Sequence, residues 1–415
     1  VRTRPPRKAA AETVRSARGC ATIVQALSKT AFNREANPFF FLFPEKPSRT
    51  NSGPHIPKHQ AEPALPSPNS SILHPGYLKT VAKSVLNRKV YHFTKDFILR
   101  RKPYPFSITL NVTTACNLHC SYCEIPTHEK QEPEMDYLVR LARSVGQRAI
   151  HFNLTGGEPL LRKDLGTLVD TIKDLPGPTY LTLFTNGKLL SQRKDVVRRV
   201  DETFISFDGS RDFHDKRRGA GAFDGAMDAM KTLADMGKTY SATCVLSRGS
   251  EKELDFVFEY ATKNKFKVGF IPVRVYSRSP QVLDELEPSP DEMHRMIARI
   301  MKFPLASNSM PGLEQLAKWP VQPVLTRPCM GGTTFFALEA DGRLYRCCER
   351  RPEQKVPEPV DPDRALEWIA RMPREACTGC WNIEGMEMTM MFALEPRSIR
   401  KLIQNARVSH AMRRS

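Results

Sequence analysis

The chain has 415 residues, 40% of them apolar and 8% aromatic, with 33 prolines, 10 cysteines and a formal net charge of +18. Such a length buries a large core without disulfide staples, and the aromatic run Phe39 to Phe43 falls far short of the ~20 apolar residues of a membrane helix. A transmembrane helical protein, a collagen-like fibre and a small disulfide-rich secreted domain are excluded.

The charge is uneven. Residues 1–110 hold 19 Lys and Arg against 5 Asp and Glu, and residues 396–415 hold six against none. The 285 residues between hold 38 against 40. The excess belongs to the two ends, and the near-neutral body offers no basic face for nucleic acid.

Residues 1–74 are rich in Pro, Ser and scattered Arg, lack a sustained period, and are predicted to be a disordered basic extension. The first methionine is Met135 and position 1 is Val, which suggests a mis-set or non-AUG start. A second reading of the opening is an Arg/Ala/Ser-rich, acid-poor transit peptide. Residues 75–105 are predicted to form a basic amphipathic helix. From Tyr77 to Arg101, Leu78, Val81, Val85, Leu86, Val90, Phe93, Phe97 and Ile98 recur at three- and four-residue steps, with Lys79, Lys83, Arg88, Lys89 and Lys95 between them. The helix is expected to pack on the main domain; contact with anionic lipid is the alternative. The basic tail helix at 396–415, with Ile399, Leu402, Ile403 and Met412, carries the same pair of readings.

Over 106–303, strand-like runs at 107–113, 149–154, 180–184, 203–207, 240–246 and 267–275 alternate with helix-like stretches at 135–145, 160–172, 196–200, 223–236 and 253–262. The fold class is therefore α/β, a partial (β/α)6 barrel with right-handed crossovers and functional residues at the C-terminal ends of its strands. From about Pro304 the pattern breaks into short strands, prolines and cysteines, predicting a separate small α+β module at 304–395.

Directly after the first strand run stand Cys116, Cys120 and Cys123, spaced x3 then x2. Soft thiolates so close together select zinc or an iron–sulfur cluster, and three ligands leave one metal position open for a reactant. The second strand runs into Gly156-Gly157-Glu158-Pro159, where two glycines permit close backbone approach and a carboxylate follows that can bind an ammonium group. The third run ends at Thr185-Asn186-Gly187, and the fourth contains Ser206-Phe207-Asp208-Gly209, followed by His214 to Gly219.

In these motifs residues 106–303 resemble the radical SAM superfamily. The resemblance implies a [4Fe–4S] cluster on Cys116, Cys120 and Cys123 whose unique iron chelates S-adenosylmethionine (SAM). It further implies reductive cleavage to a 5′-deoxyadenosyl radical, hydrogen abstraction from a substrate, and a reductant such as flavodoxin or ferredoxin. Gly156, Gly157 and Glu158 match the motif that holds the methionine amino group. Ser206 and Asp208 fall where the family places ribose and carboxylate contacts, with Arg218 as a further carboxylate candidate. Tyr122 matches the aromatic position near the adenine.

Cys329, Cys347, Cys377 and Cys380 make a complete four-thiolate set, with Cys348 as an alternate ligand. This part resembles the twitch module, a shorter relative of the SPASM domain, which implies a second, saturated [4Fe–4S] cluster able to move an electron; a structural zinc ribbon is the alternative. Cys20 and Cys244 are left over. The cysteine spacings and the absence of a signal h-region point to a reduced cytoplasmic interior. Arg274 and Tyr276, just past the sixth strand, are positional candidates for a protein base that takes a proton as the substrate radical is oxidised, with an ordinary substrate or structural contact as the alternative; no motif identifies the substrate as small molecule, peptide or lipid. Two further readings are the same chemistry on a membrane lipid, with peripheral membrane contact, and a non-enzymatic zinc or iron–sulfur regulator.

Overall fold

The computed structural model describes residues 89, 91–100, 102–125, 130–276, 279–321, 323–325, 328–347, 358–372, 377, 379–401 and 403–405. The expectations for 1–74, for most of the 75–105 helix, for Cys20 and Cys348, and for the end of the tail lie outside the described residues.

Six strands form in the predicted order: β1 (Ser107–Asn111), β2 (His151–Thr155), β3 (Tyr180–Thr185), β4 (Glu202–Ser206), β5 (Tyr240–Leu246) and β6 (Lys267–Pro272). They are rich in β-branched and aromatic residues, and each pairs in parallel with the next. Between them run α1 (Met135–Gly146), α2 (Leu165–Lys173), the short α3 (Lys194–Val197), α4 (Arg211–Arg218), α5 (Ala222–Asp235) and α6 (Ser250–Asn264). This is the partial (β/α)6 arrangement. Its core is built from strand residues such as Ile108, Leu110, Phe152, Leu154 and Ile205, packed against Leu138, Leu141, Leu168 and Leu233 of the helices.

Past β6 come α7 (Pro280–Leu286), α8 (Pro290–Ile300) and α9 (Met310–Leu316). All three start at a serine whose side chain accepts from a first-turn backbone N–H: Ser279 from Val282, Ser289 from Glu292 and Ser309 from Gly312. A proline at the first or second position completes each start. The last third adds β7 (Phe335–Leu338), β8 (Leu344–Tyr345), α10 (Ala365–Arg371) and α11 (Ile383–Phe392).

The last third joins the main sheet. The strand order is β6-β5-β4-β3-β2-β1-β7-β8, with β7 parallel to β1 and β8 antiparallel to β7. Ser107 stands opposite Phe335 and Leu110 opposite Leu338, so β1 is flanked on both sides.

The helix before the sheet is described from Tyr91, and Phe93–Leu99 is π-helical. It packs on the protein. Phe93 lies 5.4 Å from the Tyr104 ring, while Phe97 and Phe106 approach Phe392 of α11 at 5.8 and 5.1 Å between centroids. Asp96 pairs with Arg148. Lys89, expected on the basic outer face, is buried, and its Nζ donates to the carbonyls of Ala149 (2.9 Å) and Pro178 (3.3 Å). Burial lowers its amine to about 8. Among the described residues no helix is long and apolar enough to cross a membrane.

Candidate functional site

Because β1 to β6 are parallel, the loops that leave them meet at one end of the sheet. The loop after β1 is held by its neighbour from the first residue. The Val112 N–H donates to Thr155 O (2.9 Å), Gly157 N–H to Thr113 O (2.7 Å) and Glu158 N–H to Ala115 O (2.8 Å). These bonds bring the backbone leading into Cys116 against Gly156 and Gly157. A Cβ on Gly156 would stand 2.3 Å from Thr113 O, and one on Gly157 2.2 Å from Ala115 O. Gly156 also has φ +145°. The two glycines thus let the backbone of the cysteine loop approach closely. Gly157→Ala is expected to push this loop off β2, at a cost of about 1–3 kcal/mol, and to lower the iron retained after anaerobic reconstitution. Thermal unfolding and an iron assay check both.

Glu158 is fully buried and ties two strand ends together. Its carboxylate accepts from Leu160 N–H (3.0 Å), Thr185 Oγ1 (2.8 Å) and Asn186 N–H (2.8 Å). Burial pushes this carboxyl up, against the pull of those three donors. Asn186, held by Glu158, donates through Nδ2 to Asn117 Oδ1 (2.8 Å), with Cys116 Sγ at 4.0 Å. The β2, β3 and cysteine loops are thereby one hydrogen-bonded unit.

The other side of the cysteine loop rests on the end of α4. Ser121 N–H donates to Arg217 O (2.8 Å), Cys120 Sγ lies 4.0 Å from Arg218 O, and Cys123 N–H closes a turn on Cys120 O (3.0 Å). Arg218 grips Asp208 through two hydrogen bonds, Nε to Oδ2 at 2.7 Å and NH2 to Oδ1 at 3.0 Å. Tyr122 donates its hydroxyl to Asp208 Oδ2 (2.9 Å), and Val245 N–H donates to Oδ1 (3.0 Å). Burial would raise the Asp208 carboxyl, but the Arg218 guanidinium and these donors hold it below its usual range. The Arg218 guanidinium also lies over the Tyr122 ring, 5.5 Å from its centroid. His214, which motif reading did not single out, is buried below this group and accepts from Asp208 N–H through Nδ1 (3.1 Å). Burial lowers it to about 4, so it is neutral.

Of the sequence-predicted residues, Cys116, Cys120, Cys123, Tyr122, Gly156, Gly157, Glu158, Asp208 and Arg218 share this one end of the sheet. Ser206 ends β4 and is half-buried opposite Thr243; among the described residues no side-chain hydrogen bond links it to that group. The three thiols are partly exposed and within electrostatic reach of one another. Burial raises Cys116, and raises Cys120 to about 11. Without a metal these are protonated thiols, and binding one releases their protons. Among the described residues no three His, Cys, Asp or Glu side chains converge as a single metal ion requires. Three soft thiol donors on one firmly seated loop are a donor type that suits an iron–sulfur cluster.

The second set of cysteines lies around the start of α11. Cys329 N–H donates to Cys377 O (2.7 Å), and the Cys329 thiol has Cys377 and Cys347 within electrostatic reach. Its sulfur accepts from Gly331 N–H (3.3 Å) and Thr389 Oγ1 (3.7 Å). Cys380 Sγ lies 3.7 Å from Asn382 O, and Cys244 is buried in β5 against Asp208 O. No disulfide joins the described cysteines. Arg274 reaches this second set from the end of β6. It pairs with Glu287 and lies over the rings of Trp319 (4.9 Å) and Trp381 (5.0 Å), the latter next to Cys380. Tyr276 instead faces the first set, 5.6 Å from the Tyr122 ring.

Residues 110–261 match the family model of the radical SAM superfamily. The GTP 3′,8-cyclase of Stenotrophomonas maltophilia (strain K279a) is 37% identical over 112 residues, 25% of this chain and 33% of the cyclase. The AdoMet-dependent heme synthase of Methanosarcina barkeri (strain Fusaro / DSM 804) is 24% identical over 277 residues, 59% of this chain and 76% of the synthase. The chain spans between about a quarter and a half of the length of the GTP 3′,8-cyclases it matches. Streptococcus suis SuiB bound to S-adenosylmethionine has the same fold with a TM-score of 0.56 at 15% identity, over 73% of each chain. For anSMEcpe with bound AdoMet and the Kp18Cys peptide the values are 0.50 and 16%, over 72% of this chain and 99% of that one.

Proposed function

We propose that the chain, whose residues 110–261 match the radical SAM superfamily, is an enzyme of that superfamily that binds a [4Fe–4S] cluster through Cys116, Cys120 and Cys123 and acts on its substrate by hydrogen-atom abstraction. The chemistry available when cluster and SAM are bound is one-electron cleavage of the sulfonium to a 5′-deoxyadenosyl radical. The chain's own part is to hold the cysteine loop still. Gly157 and Glu158 anchor its entry, and the carbonyls of Arg217 and Arg218 meet its middle. One observation carries the reading: the three thiols sit together on that loop, at the strand ends, beside the Gly156–Glu158 turn and the Asp208–Arg218 pair.

For SAM we assign Tyr122, Gly156, Gly157, Ser206, Asp208 and Arg218 as the surrounding wall. Asp208 and Arg218 neutralise each other, so the pair adds no net charge to that wall. Glu158 acts from behind that wall, by fixing Asn186. Cys329, Cys347, Cys377 and Cys380 are proposed to hold a second [4Fe–4S] cluster that passes an electron, with a small electron-transfer protein as reductant in a cytoplasmic setting. GTP, heme and peptide chemistry belong to the relatives named above. Phe93 and Phe97 of the helix before the sheet pack against Tyr104 and Phe392, while Leu99 at its end is exposed.

The test is anaerobic reconstitution followed by reduction with dithionite in the presence of SAM. Release of 5′-deoxyadenosine is expected. A reduced, iron-loaded protein that leaves SAM intact would falsify the reading.

A further inference from the structure

Asn186 follows β3 directly and is 8% exposed where it meets the cysteine loop. Its polar groups are held one by one. The backbone N–H donates to Glu158 Oε2 (2.8 Å), Oδ1 accepts from Lys188 N–H (3.0 Å) and Nδ2 donates to Asn117 Oδ1 (2.8 Å). Because an N–H occupies Oδ1, the amide cannot turn over, and Nδ2 stays on the side of the cysteine loop. An amide nitrogen carries two hydrogens, and Asn117 takes one of them. The other acceptor in range of Nδ2 is Cys116 Sγ, at 4.0 Å.

That sulfur is set among donors, since the backbone N–H groups of Asn117 and Leu118 face it as well. At Cys120 the neighbour is of the opposite kind, the carbonyl of Arg218, 4.0 Å from Sγ. A carbonyl does nothing for a thiolate, whereas an N–H stabilises it. A neutral thiol draws the Asn186 amide weakly; a metal-bound thiolate carries the charge that makes the contact a charge-assisted hydrogen bond.

We propose that Asn186 is a positioning residue for the first cluster: it steadies the loop through Asn117 and donates its remaining Nδ2 hydrogen to the Cys116 sulfur, which raises the reduction potential of a cluster held there. This rests on the reading of the site given above and adds a residue that tunes it. Reduction adds one negative charge, shared with the sulfurs, and an N–H dipole aimed at one of them stabilises the reduced form more than the oxidised one. The electron comes from the external reductant, and Asn186 exchanges neither electron nor proton.

The experiment is an EPR-monitored redox titration of the anaerobically reconstituted full chain without SAM. The first cluster is identified as the signal that changes when SAM is added to a parallel sample. Asn186→Leu, similar in size and without a donor, is expected to lower the ratio of reduced to oxidised cluster several-fold at the parent's midpoint potential. Asn117→Ala loosens the same loop but leaves the Asn186 donor in place, and is expected to keep the parent's potential. An unchanged potential in Asn186→Leu, or an equal fall in both variants, overturns the proposal. A second measurement needs no change at Asn186: pulsed EPR of protein carrying nitrogen-15 in its asparagine side chains. A nitrogen-15 coupling on the SAM-responsive signal is expected in the parent and in Asn117→Ala, and its absence from both overturns the proposal. A parent in which no signal responds to SAM would instead strike the reading of the site.

Discussion

Replacing Asp208 by Asn is expected to cost about 3–5 kcal/mol of stability, because it leaves the buried Arg218 guanidinium without its counter-charge. Asp208 and Arg218 are 1% and 6% exposed, so water cannot take over the lost role. Asparagine keeps the shape but turns one accepting oxygen into a donor, which then confronts either the guanidinium or the Val245 N–H. The double variant Asp208→Asn/Arg218→Met removes both charges and is expected to recover most of the loss. The sign with pH follows from the depressed carboxyl. Its charge contributes fully above the ordinary carboxylate value of about 4, and that contribution fades as pH falls through the lower, folded-state value. The gap between parent and Asp208→Asn, measured by urea unfolding, should be widest near neutrality and narrow in acid. A gap that does not change from pH 7 to pH 3 would show that the pair is not ionised as drawn.

The largest effect on chemistry is expected from Cys116→Ala/Cys120→Ala/Cys123→Ala. The parent should carry close to eight irons per chain, on the basis of two four-iron clusters, and the triple variant about four. Release of 5′-deoxyadenosine should disappear altogether, since the thiols that would hold the SAM-binding cluster are gone. The fold should survive: apart from the long Cys120 Sγ contact to Arg218 O, the loop's anchors are backbone groups of Thr113, Ala115 and Ser121 and the Tyr122 hydroxyl. Four irons in the parent and none in the variant would mean that the C-terminal set holds no iron. Residual turnover would mean that the activating site lies elsewhere.

The strands of the main sheet were readable because each is a short apolar, β-branched run bounded by turn residues, and all six begin within two residues of their predicted starts. Helix α4 was not, since Arg211 to Arg218 is dominated by charge and has almost no apolar period; it forms because the ends of α4 are held by tertiary contacts such as Arg218 to Asp208. The 304–395 segment was expected to stand apart. The four-residue run Phe335 to Leu338 shows that a strand exists, but nothing within four residues reveals which edge it joins, and that edge is β1. At the site, the cysteines and glycines were legible by spacing. The role of the glycines was not, because the group that crowds them is the backbone of Thr113 and Ala115.

The placement of β7 has a consequence for biosynthesis. β1 leaves the ribosome early, yet one of its two hydrogen-bonding edges stays open until residues 335–338, more than 220 positions later, have been made. The nascent sheet therefore carries an unfinished seam beside its metal-binding loop through most of translation. Cluster loading into a site whose base is still ragged is disfavoured, so loading is expected to follow the docking of β7 on β1.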